Sequence, residues 1–169
     1  MRILSTSLFC LSCFTYFCSS GSERVPIPTR INACMESPKL KSYKIDQRTN
    51  PYYLRGDFDG DEKPDFAVMV TSGNNKTSGL IICQGDGRSV VLGAGSRPGF
   101  STMPEDNFLS SDWEVVTLAE FRELLYDKKV ATLAKGEVIC LTWEDGNAYI
   151  YWDGERYRWF LEPAGGQYK

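Results

Sequence analysis

Asp57-Phe58-Asp59-Gly60-Asp61-Glu62-Lys63-Pro64-Asp65-Phe66-Ala67-Val68-Met69-Val70 is the stretch whose reading decides the fold. Its first half places carboxylates at nearly alternate positions, and its second half is apolar throughout. Successive side chains of an extended segment point to opposite faces, so Phe66, Val68 and Val70 line one face and Ala67 and Met69 the other. Apolar residues on both faces predict a strand covered on both sides, which places it centrally in a sheet. The acidic half is then the connection between that strand and the extended run Tyr52-Tyr53-Leu54-Arg55-Gly56.

Further strands follow from the same pattern. Leu80 to Cys83 and Val90 to Leu92 are apolar runs joined by Gln84-Gly85-Asp86-Gly87, a composition suited to a hairpin turn. Between them and the central strand, Ser72 to Ser78 is a polar turn that contains the sequon Asn75-Lys76-Thr77. Residues 93–111 form a long loop of the kind that often carries function. Thr117-Leu118-Ala119-Glu120 is a capping box, in which the hydroxyl and the carboxylate each meet an orphan backbone N–H. Leu118, Phe121, Leu124 and Leu125 continue it as one apolar stripe, which predicts a helix over about 117–127. Thr29 is expected to cap a short N-terminal helix carrying Ile31, Cys34 and Met35 and ended by Pro38.

Glu137 to Trp143 and Asn147 to Trp152 are strands, and Asp153-Gly154 is the sharpest turn signal in the chain. A two-residue turn there pairs Trp152 with Glu155, Tyr151 with Arg156, Ile150 with Tyr157 and Tyr149 with Arg158. Ala148, Ile150, Trp152, Tyr157 and Trp159 then share a core face, and Tyr149, Tyr151, Arg156 and Arg158 share the opposite one. The fold class is α+β: a mainly antiparallel sheet of about seven strands, one principal helix and a short N-terminal one.

The length of 169 residues fits one domain. Residues 1–20 have the pattern of an export signal, with Arg2, an apolar stretch from Ile3 to Phe17, and small residues at Cys18 to Gly21. Residues 21–28 are a leader or tether, and 29–169 a single globular domain. The expected location is therefore periplasmic or secreted. Leu11-Ser12-Cys13 resembles a loose lipobox, which makes a lipid-anchored envelope protein the alternative. A membrane span needs about 20 apolar residues, and no stretch of the mature chain supplies them. With 19 basic against 22 acidic residues the chain is acidic, and its one local basic run, Lys39, Lys41, Lys44 and Arg48, reads as a solvated face, which argues against a nucleic-acid partner. It has no His, the commonest general base and zinc ligand. Outside the leader the cysteines are Cys34, Cys83 and Cys140, enough for one disulfide and one leftover thiol. For Cys83 and Cys140, in apolar runs, a buried unpaired thiol is an equally good reading.

The acidic loop has the donor chemistry of a calcium site. Calcium takes roughly six to eight hard oxygens, which a tight loop supplies from alternating carboxylates and a carbonyl. Counting Asp57 as position one, Asp59, Asp61 and Asp65 fall at three, five and nine, and the carbonyl of Lys63 at seven. Acids crowded this closely repel one another, and a divalent cation relieves that cost. The alternative is a plain connection whose Asp side chains make Asx turns.

Gly56-Asp57-Phe58-Asp59-Gly60-Asp61 followed by Lys63-Pro64-Asp65-Phe66-Ala67-Val68 resembles the calcium loop of FG-GAP or VCBS-type repeats. The resemblance implies side-chain ligation by Asp57, Asp59, Asp61 and Asp65. It does not imply a propeller, because one copy cannot close a ring of blades. The chain is similar to small exported bacterial proteins that carry a single such motif. At position six, where the family has Gly, this chain has Glu62, and holding it at positive φ costs on the order of 1–2 kcal/mol.

Two other sites are candidates. The face bearing Tyr149, Tyr151, Arg156 and Arg158 could hold a sugar, an anion or a partner protein, or could be cross-strand cation–π pairs on a solvated surface. Asp57, Asp59, Asp106, Asp112 and Glu114 could supply a glycosidase pair. No nucleophile elbow, Cys–His pair or phosphate-cradling loop accompanies them, so the preferred reading is not an enzyme. The expected function is a non-enzymatic exported domain with a structural calcium loop, binding a protein or carbohydrate outside the cytoplasm. The alternatives are a secreted interaction module, inhibitor or immunity-like, and a carbohydrate-acting enzyme.

Overall fold

Strands apolar on both faces need a cover on each side, and that requirement generates the layers of this fold. The computed structural model describes residues 26–73, 77–96, 112–144 and 146–163. The export signal, Asn75 and Lys76 of the sequon, Asp106 and most of the 93–111 loop lie outside them. Nine strands form two antiparallel sheets. The first holds β1 (Tyr43–Ile45), β2 (Tyr53–Gly56), β3 (Asp65–Ser72), β4 (Ser78–Cys83) and β5 (Ser89–Gly93), with β1 and β2 sharing one side of β3. The second runs β6 (Asp112–Val116), β7 (Lys135–Trp143), β8 (Gly146–Trp152) and β9 (Tyr157–Pro163) in sequence order.

The central position expected for Phe66–Val70 is the position of β3, which is flanked on both sides and buried from Asp65 to Thr71. Its two faces enter different cores. Ala67 and Met69 meet Leu80, Ile82 and Leu92 of their own sheet and Trp113, Ile139, Leu141, Ile150 and Tyr157 of the other, forming the seam between the sheets. Phe66, Val68 and Val70, with Ile81, pack outward under Ile31 of α1 (Thr29–Met35) and Leu40 of a 3-10 turn, Pro38–Leu40. On the far side, Val138, Cys140, Tyr149 and Tyr151 pack under Phe121 and Leu125 of α2 (Leu118–Leu124) and its end, and Ala131 of α3 (Lys128–Leu133). The order of layers is helix, sheet, sheet, helices.

The count of about seven strands and one principal helix is corrected to nine strands and three α-helices among the described residues. The short strands β1 and β6 and the second C-terminal helix account for most of the difference. The predicted helix over 117–127 begins with the capping box, where Thr117 and Glu120 exchange both bonds, but it stops at Leu124. Leu125 turns extended to bury its side chain. Asp127 then accepts the N–H groups of Lys129 and Val130 and starts α3. Lys128 Nζ donates to the carbonyls of Arg122 and Glu123, closing the end of α2. The N-terminal helix exists, but its N-cap is Pro28, with no side-chain cap.

The β8–β9 register also differs from expectation. Trp152 pairs with Tyr157, Tyr151 with Arg158, Ile150 with Trp159 and Tyr149 with Phe160. The Asp153 carboxylate accepts from the N–H groups of Glu155 and Arg156, and this arrangement extends the turn through Arg156. The slip is two residues, and strand side chains repeat with period two, so every residue that stays in a strand keeps its face, while Arg156 passes into the turn. Ile150, Trp152, Tyr157 and Trp159 do lie in the seam between the sheets.

The outer seam depends on Phe121, whose ring lies 5.2 Å from that of Tyr149 and 5.8 Å from that of Tyr151. Replacing it with Ala is expected to cost about 3–5 kcal/mol in urea unfolding, the usual range for a buried Phe. Tyr126→Ala, at a side chain 73% exposed, serves as the control and should change stability by less than about 0.5 kcal/mol.

Candidate functional site

The connection between β2 and β3 is folded by its own carboxylates. Asp57 Oδ1 accepts from the N–H of Gly60 at 2.8 Å and of Asp61 at 3.1 Å, and Oδ2 from that of Glu62 at 3.1 Å. Asp61 Oδ1 accepts from the N–H of Lys63 at 2.9 Å, while Oδ2 pairs with the Lys63 ammonium at 2.9 Å. Asp65 is wholly buried: Oδ2 accepts from the N–H of Phe58 at 2.9 Å and Oδ1 from that of Gly85 at 2.7 Å. These are the Asx-type bonds that short acidic side chains make readily.

The loop is also gripped from both sheets. Asp57 donates its N–H to Glu137 Oε2 at 2.8 Å and accepts from the N–H of Glu137 at 2.7 Å, a reciprocal pair across the two sheets. The pair is reached through Gly136, at φ +71 on the bulged start of β7, where an added Cβ would lie 2.4 Å from the Asp57 carbonyl oxygen. On the opposite side, Gln84 Nε2 donates to Asp59 Oδ2 at 2.6 Å, and the Arg88 guanidinium stands 3.4 Å from the same oxygen. Phe58 is buried in the seam between the sheets, so the loop contributes to the core as well as lying beside it.

Of the predicted ligands, the structure brings three together. Asp57, Asp59 and Asp61 each offer an oxygen, and these oxygens lie within 4.8 Å of one another. Asp65 is turned to the two N–H groups named above and is not part of that trio. Glu62 has φ +66, the left-handed conformation expected at position six. Asp112 and Glu114 stand on β6 as exposed neighbours of the buried Trp113, outside the trio. The surface expected from Tyr149, Tyr151, Arg156 and Arg158 is not an open one. Tyr149 and Tyr151 are only 4% and 5% exposed beneath α2, because the outer face of the second sheet is itself apolar and needs a cover. Arg156 sits in the turn, and Arg158 is paired with Asp153.

The electrostatics follow from burial. Burial raises the Asp59 carboxyl, with the neighbouring Asp61 charge adding to it. Burial pushes the Asp65 carboxyl up to about 6, although its two N–H donors pull the other way. The Lys63 ammonium holds Asp61 below the ordinary carboxylate range. Tyr157 approaches Gln84 Nε2 at 3.5 Å, and burial, then Asp65 and Asp59, raise its phenol.

Gln84, Gly85, Gly136 and Glu137 were not anticipated as parts of this site. Gly136 had a readable signal, since a Gly at the start of a strand pattern often marks a bulge or close approach of backbones. The pairing of cysteines is settled as Cys34 with Cys83, leaving Cys140 as the free, buried one among the described residues. No helix among these residues is long and apolar enough to cross a membrane. No family model, curated protein or solved structure matches the chain.

Two expectations concern the loop backbone. Glu62→Gly relieves a left-handed residue and should raise stability by about 1 kcal/mol, whereas Gly136→Ala meets the Asp57 carbonyl and should lower it by about 2 kcal/mol or more. Chemical denaturation of both variants measures this. A third concerns pH. The folded Asp65 carboxyl titrates near 6 against an ordinary 3.8, so its contribution is complete below the lower value and lost as pH rises through the higher one. Asp65→Asn does not titrate and sets an amide N–H₂ against a backbone N–H. It should cost about 1–3 kcal/mol near neutral pH. In chelator, the wild-type advantage over this variant should be larger at about pH 4 than at about pH 7, by about 2 kcal/mol.

Proposed function

We propose that this is a non-enzymatic domain of an exported protein in which the acidic loop takes up calcium as a brace between the two sheets. The observation that carries the reading is the convergence of Asp57, Asp59 and Asp61 oxygens within 4.8 Å, on a loop bonded to both sheets. The donors fit: they are hard carboxylate oxygens with remaining lone pairs, in a site lacking His or thiolate, which suits calcium over transition metals. The proposed ligands are the side chains of Asp57, Asp59 and Asp61 with the Lys63 carbonyl, and Asp65 holds the loop's backbone from behind. Bound calcium would supply charge neutralisation where Asp59 is desolvated beside Asp61. The Lys63 ammonium, 2.9 Å from Asp61 Oδ2, would compete with the ion for that carboxylate. The Cys34–Cys83 disulfide supports an exported location, because such bonds persist in oxidising compartments.

The test is thermal unfolding in calcium and in chelator. At a calcium concentration about one hundred times Kd, binding to the folded state adds about 2.7 kcal/mol, which reads as an upward shift of several degrees in Tm. Asp61→Asn removes a ligand whose side-chain bonds, both to Lys63, are exposed, and it keeps an oxygen for the Lys63 N–H. It should therefore leave the chelator Tm nearly unchanged and abolish most of the calcium shift. Equal wild-type Tm values in calcium and chelator would overturn the proposal.

A further inference from the structure

The N-terminal helix is the element least able to hold its place by itself. α1 has seven residues, well under the length at which an isolated helix persists in water. It has no side-chain N-cap, no acidic residue in its first turn and no basic residue in its last. Only Ile31 within it is buried. Two tethers fix it to the β4–β5 hairpin: the disulfide from Cys34 to Cys83, and a hydrogen bond from the Arg30 guanidinium to the Gly85 carbonyl at 2.9 Å. Beneath it lies the apolar outer face of the first sheet, with Phe66, Val68, Val70 and Ile81.

The disulfide is also reachable. Cys34 is half-buried, and both cysteines line an open cavity of about 380 Å³ bordered by Arg30, Gly85 and Arg88. The same cavity is lined by Asp86, which pairs with Arg88 at 2.5 Å, so the reactivity of the disulfide rests on access and not on net positive charge. Cys140, by contrast, is enclosed under α2 and takes no part.

We infer that the Cys34–Cys83 bond is a redox-sensitive clasp: its reduction by a dithiol releases α1 and uncovers the apolar face of β3 and β4, while the two-sheet body stays folded. The exchange balances. A reductant thiolate attacks Cys34 Sγ, Cys83 leaves as thiolate, and the second reductant thiol closes the reductant's own disulfide as Cys34 is freed. Two electrons pass to the protein, and two protons end on the cysteine thiols. The body survives because its central seam is built from Met69, Leu80, Ile82, Ile139, Leu141 and Ile150, a cluster separate from the one that holds Ile31, Cys34 and Cys83. This inference does not depend on the calcium reading.

Hydrogen exchange followed by mass spectrometry on the full chain tests it, with and without dithiothreitol, alongside Cys34→Ala without reductant. Reduction should speed exchange of peptides covering residues 29–40 by at least about tenfold and leave β7 and β8 protected, since local opening and global unfolding have separate free energies. Binding of a hydrophobic dye should rise in parallel, and Cys34→Ala without reductant should match the reduced wild type. Unchanged protection of 29–40 after reduction would show that packing alone holds the helix. Loss of protection in 29–40, β7 and β8 together would show that the bond sustains the whole fold. Either result overturns the clasp, and if Cys34→Ala does not fold, the reduced wild type still decides.

Discussion

The constraint on which the structure depends is the need to satisfy backbone N–H groups in a connection wedged between two sheets. A buried, unpaired N–H costs as much as a lost hydrogen bond, so a chain entering such a place must bring its own acceptors. Here the N–H groups of Asp57, Phe58, Gly60, Asp61, Glu62 and Lys63 all end on carboxylate oxygens. Those oxygens come from Asp57, Asp61, Asp65 and, across the sheets, Glu137. The Phe58 bond is buried and those of Asp57 and Asp61 are part-buried, whereas those of Gly60, Glu62 and Lys63 face solvent. The acids are therefore a scaffold for the whole loop, but only its inner donors depend on them against desolvation.

That scaffold also registers one sheet against the other. The first sheet delivers the loop through β2 and β3, and the second meets it at the bulge where Gly136 allows Asp57 and Glu137 to exchange bonds. Phe58, pointing into the seam beside Trp113 and Ile150, adds an apolar anchor to the polar one. A polar clamp next to an apolar plug fixes direction as well as distance, because hydrogen bonds are directional and hydrophobic burial is not.

Much of the fold was legible because period-two alternation is strict. Phe66–Val70 announced a two-sided strand, and even the mistaken register of β8 and β9 left each residue that stays in a strand on its proper face, since the error was two residues. What could not be read was the division into two sheets. The alternation says that Tyr149 and Tyr151 share a face but not that α2 and α3 cover it, and a pair of Tyr beside Arg looks the same on a solvated surface. The site was half legible for a similar reason. Asp57, Asp59, Asp61 and the left-handed Glu62 follow from local spacing, whereas Gln84 and Glu137 arrive from 25 residues beyond Asp59 and 80 beyond Asp57. Local patterns carry no information about such partners.

The order of these energetic terms bears on what a cation could do. A loop whose donors are already met by its own acids does not need an ion to acquire its shape. Its remaining cost is charge: Asp59 and Asp65 are both raised by burial, and Asp61 adds to each. Lys63 is bonded to Asp61 and acts on Asp59 only through space, and Arg88, shared with Asp86, reaches Asp59 at the longer distance of 3.4 Å. A divalent ion among Asp57, Asp59 and Asp61 would act on that residual repulsion, so the role proposed for calcium is a brace on an existing joint. The same logic explains how Glu62 is tolerated. Its strain is borne by a backbone that Asp57 holds through the Glu62 N–H, so the turn persists without the glycine that its position would otherwise favour.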